Sequence, residues 1–342
     1  MLFRSIAVNA ENYLYFGGTA YLGLQTNSDF QEIVIRNIRK WGTSHGSSPL
    51  ANIALAAFES CELYMAAFTH AQAAAVVSSG MIAGKIVIDL LAKNNSAFFH
   101  FDGNHEAIQY PDSQPFWVNG QLHENLLDAN VENIVLLSDG VLTGKVHPFD
   151  EQLIDRISAT KKITLVLDES HTLGILSKDG CGLYGTMTHP RIDRKISIAS
   201  LGKAMGVSGG AIVSDQLFVD QVKQNEIYGS SAPMNPAFAA AIVDGAAIRS
   251  TQFNRLQQNL RYFCEILKRS NKIVFDPNYP LVYPSIDNIY QNLLSKKIVI
   301  TNFQYPNSSE ILNRIVITAN HTKDDLQKLA NILNQQSQHD VY

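Results

Sequence analysis

Cysteine is scarce in this chain: there are three, at Cys61, Cys181 and Cys264, an odd number without metal-ligand spacing. That pattern excludes a disulfide framework or a zinc knuckle and fits a reducing compartment such as the cytoplasm. Long apolar runs are also missing. The opening MLFRSIAVNAENYLYF is too interrupted for the core of a signal peptide, and nothing later approaches the roughly 20 residues of a spanning helix, so a soluble, unexported protein is expected. Neither sign of charge dominates, with 27 basic residues against 31 acidic ones and a net charge of −4. Nucleic acid and membrane surfaces are therefore not expected partners, and a small organic substrate is the default. The dinucleotide signature Gly-x-Gly-x-x-Gly, internal repeats and low-complexity segments are absent as well. What is present is an ordinary globular composition, 46% hydrophobic and 17% charged, over 342 residues, enough for about two domains.

The most informative stretch is residues 194–215, RKISIASLGKAMGVSGGAIVSD. Its β-branched residues bound a run of small ones, which predicts a strand (195–199), a Ser-Leu-Gly-Lys turn, a glycine-rich loop and a second strand (211–214). The one cation inside that loop is Lys203. A lysine crowded by small and apolar groups loses its proton more readily, and a neutral amine can attack a carbonyl to form a Schiff base. By itself the pattern also describes a solvated lysine after a turn.

Upstream stands VLDESHTLGILSKDGCGLYG, residues 166–185. The apolar run 163–167 has the character of a strand buried in a parallel sheet, and it delivers Asp168 and then His171 at its C-terminal end. Ligands of open α/β sheets bind at that edge. A turn-forming Asp and an incidental His would explain either residue separately. The succession of strand-Asp-x-x-His and strand-Ser-x-x-Lys is harder to dismiss.

These segments, Asp168-Glu169-Ser170-His171 and Ser200-Leu201-Gly202-Lys203-Ala204, resemble the signatures of the fold-type I pyridoxal-phosphate (PLP) enzymes. Within them the likeness is to the class II aminotransferase and α-oxoamine synthase family, the 8-amino-7-oxononanoate synthase group. The resemblance runs from about Tyr21 to Thr322. It implies an α/β fold with a large, mostly parallel sheet covered by helices on both faces and a smaller C-terminal α+β domain. The expected divisions are an arm (1–45), a PLP-binding domain (46–235) and a connecting helix with the small domain (236–342).

The alternation of strand and helix supports that architecture. Further candidate strands are 73–77, 97–101 and 133–137, and candidate helices are 29–41, 82–91, 215–227 and a long one over 236–270. The first candidate strand of the large sheet leads through Ser79, Gly80 and Met81 into a helix. Free N–H groups and the dipole at such a start make an anion site, although an ordinary serine cap reads the same way.

The resemblance assigns roles residue by residue. Lys203 holds PLP and, with an amino acid bound, moves the Cα proton. Asp168 faces the ring nitrogen, His171 the phenolic oxygen, and His105, in Asp102-Gly103-Asn104-His105, stacks on the ring. Gly80, Met81 and Ser200 bind the phosphate, and Thr143 replaces a serine that contacts the cofactor. Ser230 and Ser231 reach a neighbouring subunit's phosphate in a homodimer whose active sites lie at the interface. Arg314, in RIVITANHT (314–322), receives the substrate carboxylate, a group that a guanidinium fork matches. The implied reaction condenses an acyl thioester such as acyl-CoA with a small amino acid and releases CO2; an aminotransferase is the alternative. Three departures bear on the acyl donor: no arginine between Trp41 and Leu50, Ala51 in place of a common histidine, and Asn302-Phe303-Gln304-Tyr305-Pro306 in place of Arg-Pro-Pro.

Other classes are less compatible. Gly206-Val207-Ser208-Gly209-Gly210 matches a hydrolase elbow with Ser208 as nucleophile, but a strand is expected after it where a helix is required. The segment from Gly80 to Lys85 is one residue short of a P-loop and has Ile86 at the magnesium position. His100, Asp102 and His105 lack a well-spaced further donor for a metal. A non-catalytic PLP-fold binding protein would most simply lack the lysine.

Overall fold

The computed structural model describes residues 4–130, 132–304 and 311–337. The stretch read as an arm opens with two short strands, β1 (Ser5–Val8) and β2 (Glu11–Phe16), followed by helix α1 (Ser28–Trp41). Asn27 caps α1 by accepting the Phe30 N–H, which satisfies one of the donors left free at a helix start. Helix α2 (Ala56–Thr69) leads into the large sheet.

That sheet has seven strands: β3 (Ala73–Val77), β4 (Ala97–His100), β5 (Gln114–Pro115), β8 (Glu132–Asp139), β9 (Lys161–Asp168), β10 (Ile192–Ser200) and β11 (Gly210–Ser214). A small separate hairpin, β6 (Trp117–Val118) and β7 (Gln121–Leu122), lies between β5 and β8 in the chain. The order is β3-β11-β10-β9-β8-β4-β5, and β11 alone runs against its neighbours. Alternate residues feed opposite cores. Ile134 and Leu136 face a core shared with α2, whereas Val135 and Leu137 face one shared with Ile86 and Val87 of α3 (Gly80–Ala92). A sheet buried on both faces accounts for its near-continuous apolar strands.

Two helical expectations are corrected. The helix expected over 215–227 is two, α4 (Gln216–Lys223) and α5 (Glu226–Ser230), because Asn225 turns out of the first and caps the second through the Ile227 N–H. The long helix expected over 236–270 is likewise divided into α6 (Pro236–Asp244) and α7 (Ala246–Ile266) at Gly245. A Cβ at Gly245 would come within 2.6 Å of the Phe30 ring, so α1 can approach only a glycine there.

The second sheet, in the order β1-β2-β14-β15-β13-β12, joins the N-terminal strands to the C-terminal ones. These are β12 (Ile273–Phe275), β13 (Leu281–Pro284), β14 (Ile298–Gln304) and β15 (Ile311–Val316), with α8 (Ile289–Ser295) and α9 (Lys323–Gln336) completing the region. Strand β2 pairs in parallel with β14, and Arg4 makes a 2.6 Å ion pair with Asp325 of α9. No described helix is long and apolar enough to cross a membrane.

Candidate active site

The C-terminal ends of β8, β9 and β10 bring the chemistry together. Asp139 and Asp168, the last residues of β8 and β9, are Cα partners across the parallel ladder, and both are buried. Immediately beyond β9, Ser170 Oγ accepts the Ser200 N–H at 2.8 Å, tying the ends of β9 and β10. Glu169 is fully buried and serves the scaffold: its carboxylate accepts from Thr172 Oγ1 (2.9 Å), the Tyr184 N–H (2.9 Å), Ser197 Oγ (3.0 Å) and the Leu183 N–H. The glycine-rich segment after His171 is thereby locked onto the sheet.

Lys203 sits in the turn after β10, with its Nζ 2.9 Å from His171 Nε2. On the far side of the ring, His171 Nδ1 is 2.6 Å from the Tyr21 hydroxyl. Burial pushes the Lys203 amine below its ordinary value, and Arg314 adds to that shift, while Asp168 and Asp139 oppose it. His171 is driven well down, first by burial and then by Lys203, Arg314 and His105, so its imidazole is neutral. Burial and the neighbouring Asp168 raise Asp139 to about 7, against the opposing pull of the His105 N–H and Lys203.

His105 begins a short turn beyond β4. Its N–H donates to Asp139 Oδ1 at 3.0 Å, and its Nδ1 lies 3.7 Å from Asp168 Oδ2 with half the side chain exposed. His100 instead bonds Ser113 Oγ at 2.8 Å, so the two histidines serve different neighbours. Gly80 opens α3 against the end of β10, where an added Cβ would meet Ser200 Cβ at 2.9 Å. Ser79 caps this helix through the Ile82 N–H, and Met81 in its first turn is exposed.

Arg314 extends from β15. Its Nε is buried without a hydrogen-bond partner among the described residues, and its guanidinium lies 5.6 Å from the centre of the Phe303 ring. Asn302 bonds Asn313 across the strand pair at 2.8 Å, whereas positions 305 and 306 lie outside the described residues. Thr143 is exposed on the loop after β8. Ser230 ends α5, exposed, and Ser231 follows it; no contact among the described residues joins either to the Lys203 cluster. The segment containing Ser208 leads directly into β11, so the strand-to-helix turn of a hydrolase elbow is not formed.

Two members of this cluster were not singled out as site residues from the sequence. The family resemblance assigns Thr143, four residues on, but not Asp139, and only the register of Asp139 with Asp168 reveals a carboxylate pair. Tyr21 lies 150 residues from His171 in the chain and carries no local signal of that contact.

Residues 124–333 match the family model described as aminotransferase class I and II. The 8-amino-7-oxononanoate synthase of Thermosipho melanesiensis is 24% identical over 345 residues, covering 94% of this chain and 87% of the relative. That of Dechloromonas aromatica is 27% identical over 278 residues, covering 75% and 71%. Among solved structures, a Sphingomonas wittichii serine palmitoyltransferase superposes with a TM-score of 0.81 at 17% identity, covering 97% of this chain and 89% of the other. An 8-amino-7-oxononanoate synthase from Francisella tularensis gives 0.72 at 20% identity, covering 94% and 97%. The fold is common to these proteins.

Proposed function

The chain belongs to the class I and II aminotransferase family, and from that premise we propose that it is a PLP-dependent acyltransferase. It condenses an acyl thioester with a small amino acid and releases CO2. The observation that carries this reading is the Lys203 amine, lowered by burial and held 2.9 Å from a neutral His171 beside Asp168. The curated relatives named 8-amino-7-oxononanoate synthase, which align over most of the chain, favour condensation over amino transfer.

The residues present fit PLP. The cofactor needs an amine for its aldehyde, a carboxylate for its ring nitrogen, a donor for its phenolic oxygen and N–H groups for its phosphate. Lys203, Asp168 and His171 supply the first three. The start of α3 supplies the last, packed so closely on Ser200 that glycine is required at position 80. When bound, PLP supplies an electron-withdrawing ring that makes the Cα of an amino acid nucleophilic toward a thioester carbonyl.

The chain's own groups do the rest. The buried Asp168 side chain would face the ring nitrogen and favour a proton there. His105, half-exposed beside Asp168, would stack on the ring, and Thr143 would contact the cofactor. Lys203 would take the proton from the amino acid's Cα and return it, while Arg314 would orient the carboxylate with a guanidinium whose buried Nε has no partner among the described residues. Gly80, Met81 and Ser200 would hold the phosphate. Ser230 and Ser231, which no contact among the described residues joins to this cluster, would contribute to the phosphate site of a second subunit in a homodimer. The three free thiols suit a reducing cytoplasm.

The reading is tested by mixing PLP-loaded protein with a panel of amino acids, with and without acyl-CoA donors. Release of CoA that depends on the amino acid is expected. Conversion of PLP to pyridoxamine phosphate without a donor, reversed by a keto acid, would identify an aminotransferase instead. For the assembly, light scattering at micromolar concentration should give a dimer mass, and a fully active monomer would exclude it.

A further inference from the structure

Tyr21 is 0% exposed, and among the described residues its hydroxyl has one hydrogen-bond partner, His171 Nδ1 at 2.6 Å. The other ring nitrogen, Nε2, stands 2.9 Å from Lys203 Nζ. Because the imidazole is neutral, it carries a single N–H with which to serve both contacts. Two arrangements balance. In one, the Tyr21 hydroxyl donates to Nδ1, and Nε2–H donates to the lone pair of a neutral Lys203 amine. In the other, Nδ1–H donates to the Tyr21 oxygen, and Nε2 accepts from Lys203.

The second arrangement leaves the Tyr21 hydroxyl hydrogen buried with no acceptor, an unsatisfied donor that folded proteins avoid. Ionising the phenol offers no escape, because burial raises it far above its ordinary value. We propose that Tyr21 is a positioning residue that fixes His171 in the Nε2–H tautomer, so that the imidazole presents a hydrogen-bond donor to the Lys203 side of the site. Other groups set the balance around this pair. Asp168 and Asp139 favour an ammonium at Lys203 and Arg314 disfavours it, while Lys203, Arg314 and His105 all disfavour an imidazolium at His171.

The consequence for catalysis rests on the proposed function, since only a His171 that donates from Nε2 can hold the phenolic oxygen of PLP as that reading requires. The tautomer itself does not depend on PLP and can be measured without it. Full-length protein labelled with 15N-histidine is examined by long-range 1H–15N correlation, with the His171 resonances assigned by their loss in His171→Asn. The wild type should show a pyridine-type Nδ1 and a pyrrole-type Nε2. In Tyr21→Phe the protonated fraction at Nε2 should drop, and the rate at which Lys203 is labelled by an amine-reactive reagent at fixed pH should fall about tenfold, as the freed Nε2 accepts from an ammonium.

A pyrrole-type Nδ1 in the wild type overturns the inference without recourse to any variant. An unchanged tautomer in a folded Tyr21→Phe overturns it too, because a tyrosine that only fills space would alter the melting temperature and leave the ring protons where they were. Protein that binds no PLP would defeat the functional reading and leave the tautomer result standing. PLP-loaded protein with an Nδ1–H tautomer would defeat this inference alone.

Discussion

Asp139 and Asp168 end adjacent parallel strands as Cα partners, and the first is held near neutrality by burial and by the second. A carboxyl whose folded value lies above its unfolded one binds its proton more tightly in the folded state. Its stabilising contribution is complete below the unfolded value and is lost as pH rises through the folded one.

For Asp139 that window runs from the ordinary 3.8 to about 7. In PLP-free protein, Asp139→Asn should therefore flatten the decline in stability across this range, by up to roughly 4 kcal/mol at about 1.4 kcal/mol per pH unit. Urea unfolding at pH 4, 5, 6 and 7 measures the slope. Parallel curves for variant and wild type would contradict the assignment.

His321 works in the opposite direction. It stacks on Phe16 at 3.9 Å, accepts the Thr318 N–H at Nδ1 (3.0 Å), and lies with Nε2 3.1 Å from the Tyr15 carbonyl oxygen, so the C-terminal segment is stapled to β2. Burial lowers it from 6.5 to about 4, and the stability it supplies is present above 6.5 and lost as pH falls toward 4. His321→Gln should cost about 1–2 kcal/mol at pH 7 through the lost bonds and stacking. It should also remove up to roughly 3 kcal/mol of acid sensitivity between pH 6.5 and 4, read from thermal melts. An acid limb unchanged by the substitution would show that His321 does not titrate with unfolding.

Arg314→Lys keeps the charge and removes the planar fork. The Michaelis constant for the amino acid should rise about 30-fold, equivalent to about 2 kcal/mol, with a smaller change in kcat. Initial rates at saturating acyl donor measure it, and a constant within twofold of the wild type would place the substrate carboxylate elsewhere.

The parts of this site that the sequence makes legible are local. An apolar run ending in Asp168, a His three residues on, and a Ser-x-x-Lys turn between two strands each state their environment within a few neighbours, and β9, β10 and β11 lie where those patterns put them. The parts that stay hidden depend on residues far apart in the chain. Asp139 becomes a site residue only through its register with Asp168, and Tyr21 only through its contact with His171. The ring of Phe30 leaves no room for a side chain at Gly245, between α6 and α7, and the partner of β2 is β14. No periodicity within a segment encodes such pairings, which arise when separate elements pack.

On this proposal Lys203 is the amine that holds PLP. Protein loaded with PLP, reduced with borohydride, digested and analysed by mass spectrometry tests it directly. A visible band that borohydride bleaches is expected, with a pyridoxyl-phosphate mass increment confined to the peptide containing Lys203 and loss of both in Lys203→Ala. An increment on a different lysine, or a bleachable band that survives Lys203→Ala, would contradict it.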